Sequence, residues 1–185
     1  VNPVPSQPVL TLEPLIDAVR QGVEAEACEL AGLQKTTSHQ FEGRWAGDTT
    51  RSAYLFFHLL SGPEWAAVDV FLDETGDGLQ GNLALVVDGC ALERLGDAPG
   101  ALAALGRLAV THLPPGHRTP VTLRLRLEDG AQLVGSAATE FRLKLVIPRR
   151  TLREGASSIA ELASASVRAF RQVLSDPALP RYLEP

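Results

Sequence analysis

From Leu12 to Val23 the apolar residues Leu12, Leu15, Ile16, Val19 and Val23 return every three or four positions. That spacing gathers them on one stripe and predicts an amphipathic helix over 12–27. Thr11 is its expected N-cap, Pro14 fits the first turn, and Gly22 weakens it slightly. The period then changes to two. Phe41 and Trp45 share a parity in 38–46, and 51–60 is rich in aromatic and apolar residues. Over 65–73, Val68, Val70 and Leu72 alternate with Asp69, Phe71 and Asp73. Residues 80–88 form a further apolar run. Turn signals at Ala46–Thr49, Ser61–Pro63 and Thr75–Gly78 separate these stretches. The pattern predicts a meander of three or four antiparallel strands.

A second helix is predicted over 98–112, with Asp97 as N-cap, Pro99 in the first turn, and Leu102, Leu105, Leu108 and Ala109 as its stripe. The clearest alternation follows. Val121, Leu123, Leu125 and Leu127 alternate with Thr122, Arg124, Arg126 and Glu128. Asp129-Gly130 marks a hairpin. The return strand carries Phe141, Leu143, Leu145 and Ile147 against Arg142 and Lys144, and Pro148 ends it. A last helix is predicted from Ser158, with Glu161 completing a capping box and an apolar face that includes Ile159, Val167 and Phe170. Asp176-Pro177 stops it. The order helix, strands, helix, strands, helix predicts an α+β fold of two layers, an antiparallel sheet covered by helices.

Length and composition fit that picture. A chain of 185 residues with 45% hydrophobic content is long enough for one domain that buries roughly 70% of its unfolded surface. We place a flexible proline-rich arm at 1–10, the domain at 11–176 and a tail at 177–185. No positively charged start or long apolar run is present, which predicts neither a secretory signal nor a membrane span and places the protein in the cytoplasm. Fifteen arginines against two lysines, and no methionine, fit a GC-rich bacterial genome. Cys28 and Cys90 are the only cysteines, too few for a four-cysteine zinc site; buried, reduced thiols are expected.

Charge is uneven. The net charge is −5, yet residues 118–153 hold eight bases and three acids, whereas residues 1–100 hold fifteen acids and five bases. Arg124, Arg126, Arg142 and Lys144 should share one face of the 121–144 hairpin, with Arg149 and Arg150 beside them. Such a strip suits an acidic protein segment, the acidic half of a dimer mate, or phosphates. Single-stranded nucleic acid also asks for aromatic platforms. Within this region only Phe141 is aromatic, and its parity points it inward.

Catalytic and cofactor motifs are incomplete. Gly76-Asp77-Gly78-Leu79-Gln80-Gly81 matches G-x-G-x-x-G, but a strand-like run follows where a dinucleotide site needs a helix. Asp73–Gly78 resembles the start of a calcium loop, but Ala84 stands where a bidentate Glu is required. His39, His58, His112 and His117 form no ligand spacing. Gly135-Ser136-Ala137 lacks half of the nucleophile elbow. Asp69, Asp73 and Glu74 offer carboxylates that a hydrophilic strand end also explains. No cofactor and no metal are expected.

The segments at 12–23, 51–60, 65–73, 98–112, 121–127 and 159–174 run in an order that resembles the YbjN family and the fold of type III secretion chaperones. The resemblance spans roughly 11–175 and implies the arrangement α-β-β-β-(β)-α-β-β-α. The stretch at 80–88 and the basic hairpin depart from the family pattern. What the resemblance implies is a non-enzymatic adaptor or chaperone-like protein, a homodimer that docks a partner protein. A partner in nucleic-acid metabolism, such as a DNA-repair or single-stranded-DNA-binding protein, is compatible with the basic strip. The alternatives are direct nucleic-acid binding through the hairpin 121–144 and an enzyme with a dispersed site.

Overall fold

A computed structural model describes residues 7–42, 44–113, 122–124, 127–128, 132–133 and 140–183. The chain runs α1 (Leu12–Glu24), β1 (Cys28–Glu42), β2 (Arg44–Leu59), β3 (Ala66–Thr75), β4 (Gly78–Asp88), α2 (Gly89–Leu95) and α3 (Ala98–His112). It continues through β5 (Thr122–Arg124), β6 (Leu127–Glu128), β7 (Gln132–Leu133), β8 (Glu140–Val146), α4 (Arg149–Glu154) and α5 (Ala156–Leu174). The expected α+β class is found. One antiparallel sheet has the order β1-β2-β3-β4-β8-β5, and β6 pairs with β7 separately.

The sheet buries one face. Leu55 and Phe57 from β2, Val68 and Leu72 from β3, Leu83 and Leu85 from β4, and Leu143 and Leu145 from β8 all lie in the core. Their period-two spacing makes this the inner face. Helix α1 packs on β1–β3, α3 on β8 and α5 on β4. Helix α1 buries the predicted stripe Leu12, Leu15, Ile16, Val19 and Val23. Helix α5 answers with Ile159, Ala163, Val167, Phe170 and Val173. The two helices touch closely at Gly22, where an added Cβ would lie 2.1 Å from the Ala160 carbonyl oxygen.

Several expectations need correction. The turn predicted at Ala46–Thr49 lies inside β2; the chain reverses between Glu42 and Arg44, so Phe41 and Trp45 are cross-strand partners. Strand β1 begins at Cys28, ten residues before the predicted start. Helix α2 was not predicted, although Asp88 caps it by accepting from the amides of Cys90 and Ala91. Helix α1 ends at Glu24, three residues early. Helix α5 begins at Ala156 with no side-chain cap, so the Ser158–Glu161 capping box does not form. There the chain enters the helix through Gly155 at φ 100°, a conformation that favours glycine. The Thr75–Gly78 stretch does turn the chain: β3 and β4 close with Thr75 paired to Gly78, whose φ of 108° suits a glycine bulge. A strand follows those glycines, as read from the sequence. The described parts of the predicted 121–144 hairpin do pair: β5 runs antiparallel to β8, with Leu123 opposite Phe141, and inside that pair Leu127 lies opposite Leu133. Residues 1–6 of the 1–10 arm and the positions 125–126 and 129–130 lie outside the described residues; farther along the arm Val9 is buried and its amide donates to the Leu152 carbonyl at 3.1 Å. Among the described residues no helix is long and apolar enough to cross a membrane.

Candidate functional site: the outer face of the sheet

The same alternation that fills the core aims the intervening side chains at the opposite face. Register aligns them in rows across four strands. Tyr54 pairs with Phe71, Phe71 with Asn82, and Asn82 with Val146. The next row runs Phe56, Asp69, Ala84, Lys144, and the one beyond it His58, Ala67, Val86, Arg142. Tyr54 is 38% exposed, Phe56 40% and Val146 53%. These values mark a face that no helix described here covers.

A groove of about 290 Å³ crosses these rows. Tyr54, Phe56 and Phe71 form one side, Arg142 and Lys144 the other, with Asp69 and Asn82 between them. The Tyr54 and Phe71 rings stand 4.9 Å apart and 47° from coplanar, a tilted contact that leaves ring surface available. Arg142 donates to Asp69 Oδ2 at 3.2 Å; the two side chains are 34% and 19% exposed, so the pair is half withdrawn from water. A fourth row, Ser52, Asp73 and Gln80, flanks the Tyr54 row and is closed by hydrogen bonds. Ser52 donates to Asp73 Oδ1 at 2.5 Å and Gln80 donates to Asp73 Oδ2 at 3.1 Å. Both oxygens of this buried carboxylate are therefore engaged, a structural role.

By register Arg124, Arg142 and Lys144 share one face of the sheet, as expected, whereas Arg149 and Arg150 lie on α4. Arg142 and Lys144 stand in the groove. Arg124 occupies the register position opposite Glu140 on the neighbouring edge strand, and Arg126 lies outside the described residues. On α4, Arg149 lines a separate cleft with Pro8, Leu10 and Asp77, and Arg150 pairs with Glu154 at 2.6 Å. A helix begins there because Pro148, at φ −65° and ψ 144°, ends the strand.

The sequence reading missed the aromatic partners of the strip. They come from β2 and β3, some 70 to 90 residues before β8, and only the sheet order brings them together. The signal available was the outward parity of Phe71, already visible in the alternation of 65–73.

The remaining candidates find structural places. His112 Nε2 lies 2.8 Å from Asp176 Oδ2, and His58 stands on the outer face. His117 lies outside the described residues. Glu74 accepts from the Leu12 amide at 2.7 Å and from Arg51 at 3.4 Å, and Arg51 also pairs with Glu13. That pairing holds the Glu13 carboxyl below its ordinary range. Among the described residues no group of three or more His, Cys, Asp or Glu is placed to hold a metal ion. Both cysteines are free thiols; Cys28 is buried as expected, but Cys90 is only half-buried. Burial pushes the Cys28 thiol up, with Arg171 nearby opposing the shift. Comparison with protein-family models, curated proteins and solved structures finds no match to this chain.

Proposed function

We propose that this protein is a non-enzymatic, chaperone-like adaptor that docks a partner protein on the outer face of its sheet. The observation that carries the reading is the groove in which Tyr54, Phe56 and Phe71 face Arg142 and Lys144 across four strands. Exposed aromatic rings beside long cationic side chains are the composition of a recognition surface. The element order also supports the resemblance to the YbjN family and to type III secretion chaperones, from which the reading takes self-association as a homodimer. Light scattering of the purified protein checks that part directly.

The test is a nuclease-treated native pull-down with three baits: the wild type, Phe56→Glu and Lys144→Glu. Capture of one protein in fixed ratio by the wild type, lost in both variants at unchanged circular dichroism, is the expected result. Capture that both variants retain refutes this face as the docking surface.

A second reading has one specific observation in its favour. The structure puts aromatic rings beside Arg142 and Lys144, which the basic hairpin lacked in the sequence, and that pairing also serves single-stranded nucleic acid. It predicts that nuclease removes the captured material and that affinity for an oligonucleotide falls steeply with salt.

A further inference from the structure

The groove already contains a carboxylate. Asp69 stands in the row between Phe56 and Ala84, and its Oδ2 accepts from the Arg142 guanidinium at 3.2 Å. Lys144 shares that row, on the far side of Ala84. The cationic side of the groove is thus arranged around a carboxylate, next to the rings of Tyr54, Phe56 and Phe71. Asn82, between Phe71 and Val146, adds an amide that both donates and accepts, as a peptide backbone requires. A volume of about 290 Å³ is at the small end for cofactor clefts and on the scale of a few side chains. A phosphate backbone fits this arrangement poorly. Nucleic-acid binding draws on several cations together, whereas the groove offers two, one of them already held by Asp69.

Resting on the docking reading above, we propose that the groove takes an extended peptide segment with an aromatic side chain next to a carboxylate. Asp69 is the resident stand-in for the ligand's carboxylate. The incoming group replaces it on Arg142 and reaches Lys144, while the ring packs on Tyr54, Phe56 and Phe71. Asp69 thereby sets a threshold: only a segment that supplies both the ring and the charge offsets the loss of the internal pair.

The test is fluorescence anisotropy of the full chain with a labelled peptide bearing a central Asp-Phe-Asp. Its Ala-Phe-Ala and Asp-Ala-Asp versions and a labelled oligothymidylate serve as comparisons. Saturable binding of the first peptide is expected, weakened roughly tenfold in either comparison peptide. Asp69→Asn should bind it several-fold tighter, and Lys144→Gln roughly tenfold weaker. Should Asp69→Asn fail to fold, the exposed Lys144→Gln decides by its loss of binding. Tighter binding of the oligothymidylate than of the peptide overturns the proposal, as does equal binding of all three peptides. If no peptide binds but a partner is still captured through Phe56, this ligand chemistry is wrong and the docking face stands. If neither occurs, both readings fall.

Discussion

The backbone amide of Leu12, first residue of α1, donates to the side chain of Glu74 from β3 at 2.7 Å. Thr11, at the N-cap position, makes no side-chain cap. A carboxylate 62 residues away in sequence thus does the work of a local cap, and its negative charge meets the positive end of the helix. Glu74→Ala should lower stability by about 1 kcal/mol, the usual scale of a lost cap. Thr11→Ala should change it little. Urea titration of both variants checks the pair; the reverse ranking would return the cap to Thr11.

Gly22 tests packing against propensity. Alanine is the better helix former by about 1 kcal/mol, so helix propensity alone predicts that Gly22→Ala stabilises. Its Cβ would meet the Ala160 carbonyl oxygen at 2.1 Å and Ala163 Cβ at 2.8 Å. Neither neighbour is a flexible side-chain end, so α1 and α5 must move apart. A net loss of about 1–3 kcal/mol is expected, the cost of overpacking. A raised midpoint in chemical denaturation would contradict the close approach.

The pairing of His112 with Asp176 ties the end of α3 to the segment after α5. The hydrogen bond from His112, followed by that from the Ala178 amide, holds the Asp176 carboxyl below its ordinary value of 3.8. A depressed carboxyl contributes stability above its unfolded pKa and loses that contribution as pH falls through the lower folded value. Asp176→Asn should therefore lower the melting temperature above about pH 4, where the pair contributes, and flatten its dependence on pH below that. An unchanged acid limb would remove this pair from the account.

Ser52 donates to the buried Asp73 at 2.5 Å. Ser52→Ala leaves one carboxylate oxygen without that donor, a loss of about 1–3 kcal/mol. Equilibrium unfolding measures it, and near-neutral behaviour would mean that water replaces the hydroxyl.

Elements whose side chains divide cleanly between water and core were legible in the sequence. The stripe of α1, the bounds of α3 with its Asp97 cap, and the alternation of β3 are all found. Much of β1 was not. Its stretch Gln34, Lys35, Thr36, Thr37 is exposed on both faces at the edge of the sheet, so no alternation is written into it. The cap of α1 was illegible for another reason, since Glu74 reaches it through the sheet and not along the chain. The site was half legible. Charge clustering found Arg142 and Lys144, but proximity in sequence also recruited Arg149 and Arg150, which Pro148 carries onto a helix. The rings that complete the groove are non-local and needed the strand order.

The one-sided placement of α1, α3 and α5 separates two kinds of demand on the same strands. Odd positions of β2 and even positions of β3 hold the domain together, while their neighbours, apart from the buried Ser52–Asp73 pair, meet the outside. Such interleaving lets one set of codons drift while the other is held fixed. Changes at Tyr54, Phe56 or Lys144 therefore remake the outer surface without emptying the interior, so the character of that face can vary while the scaffold is kept.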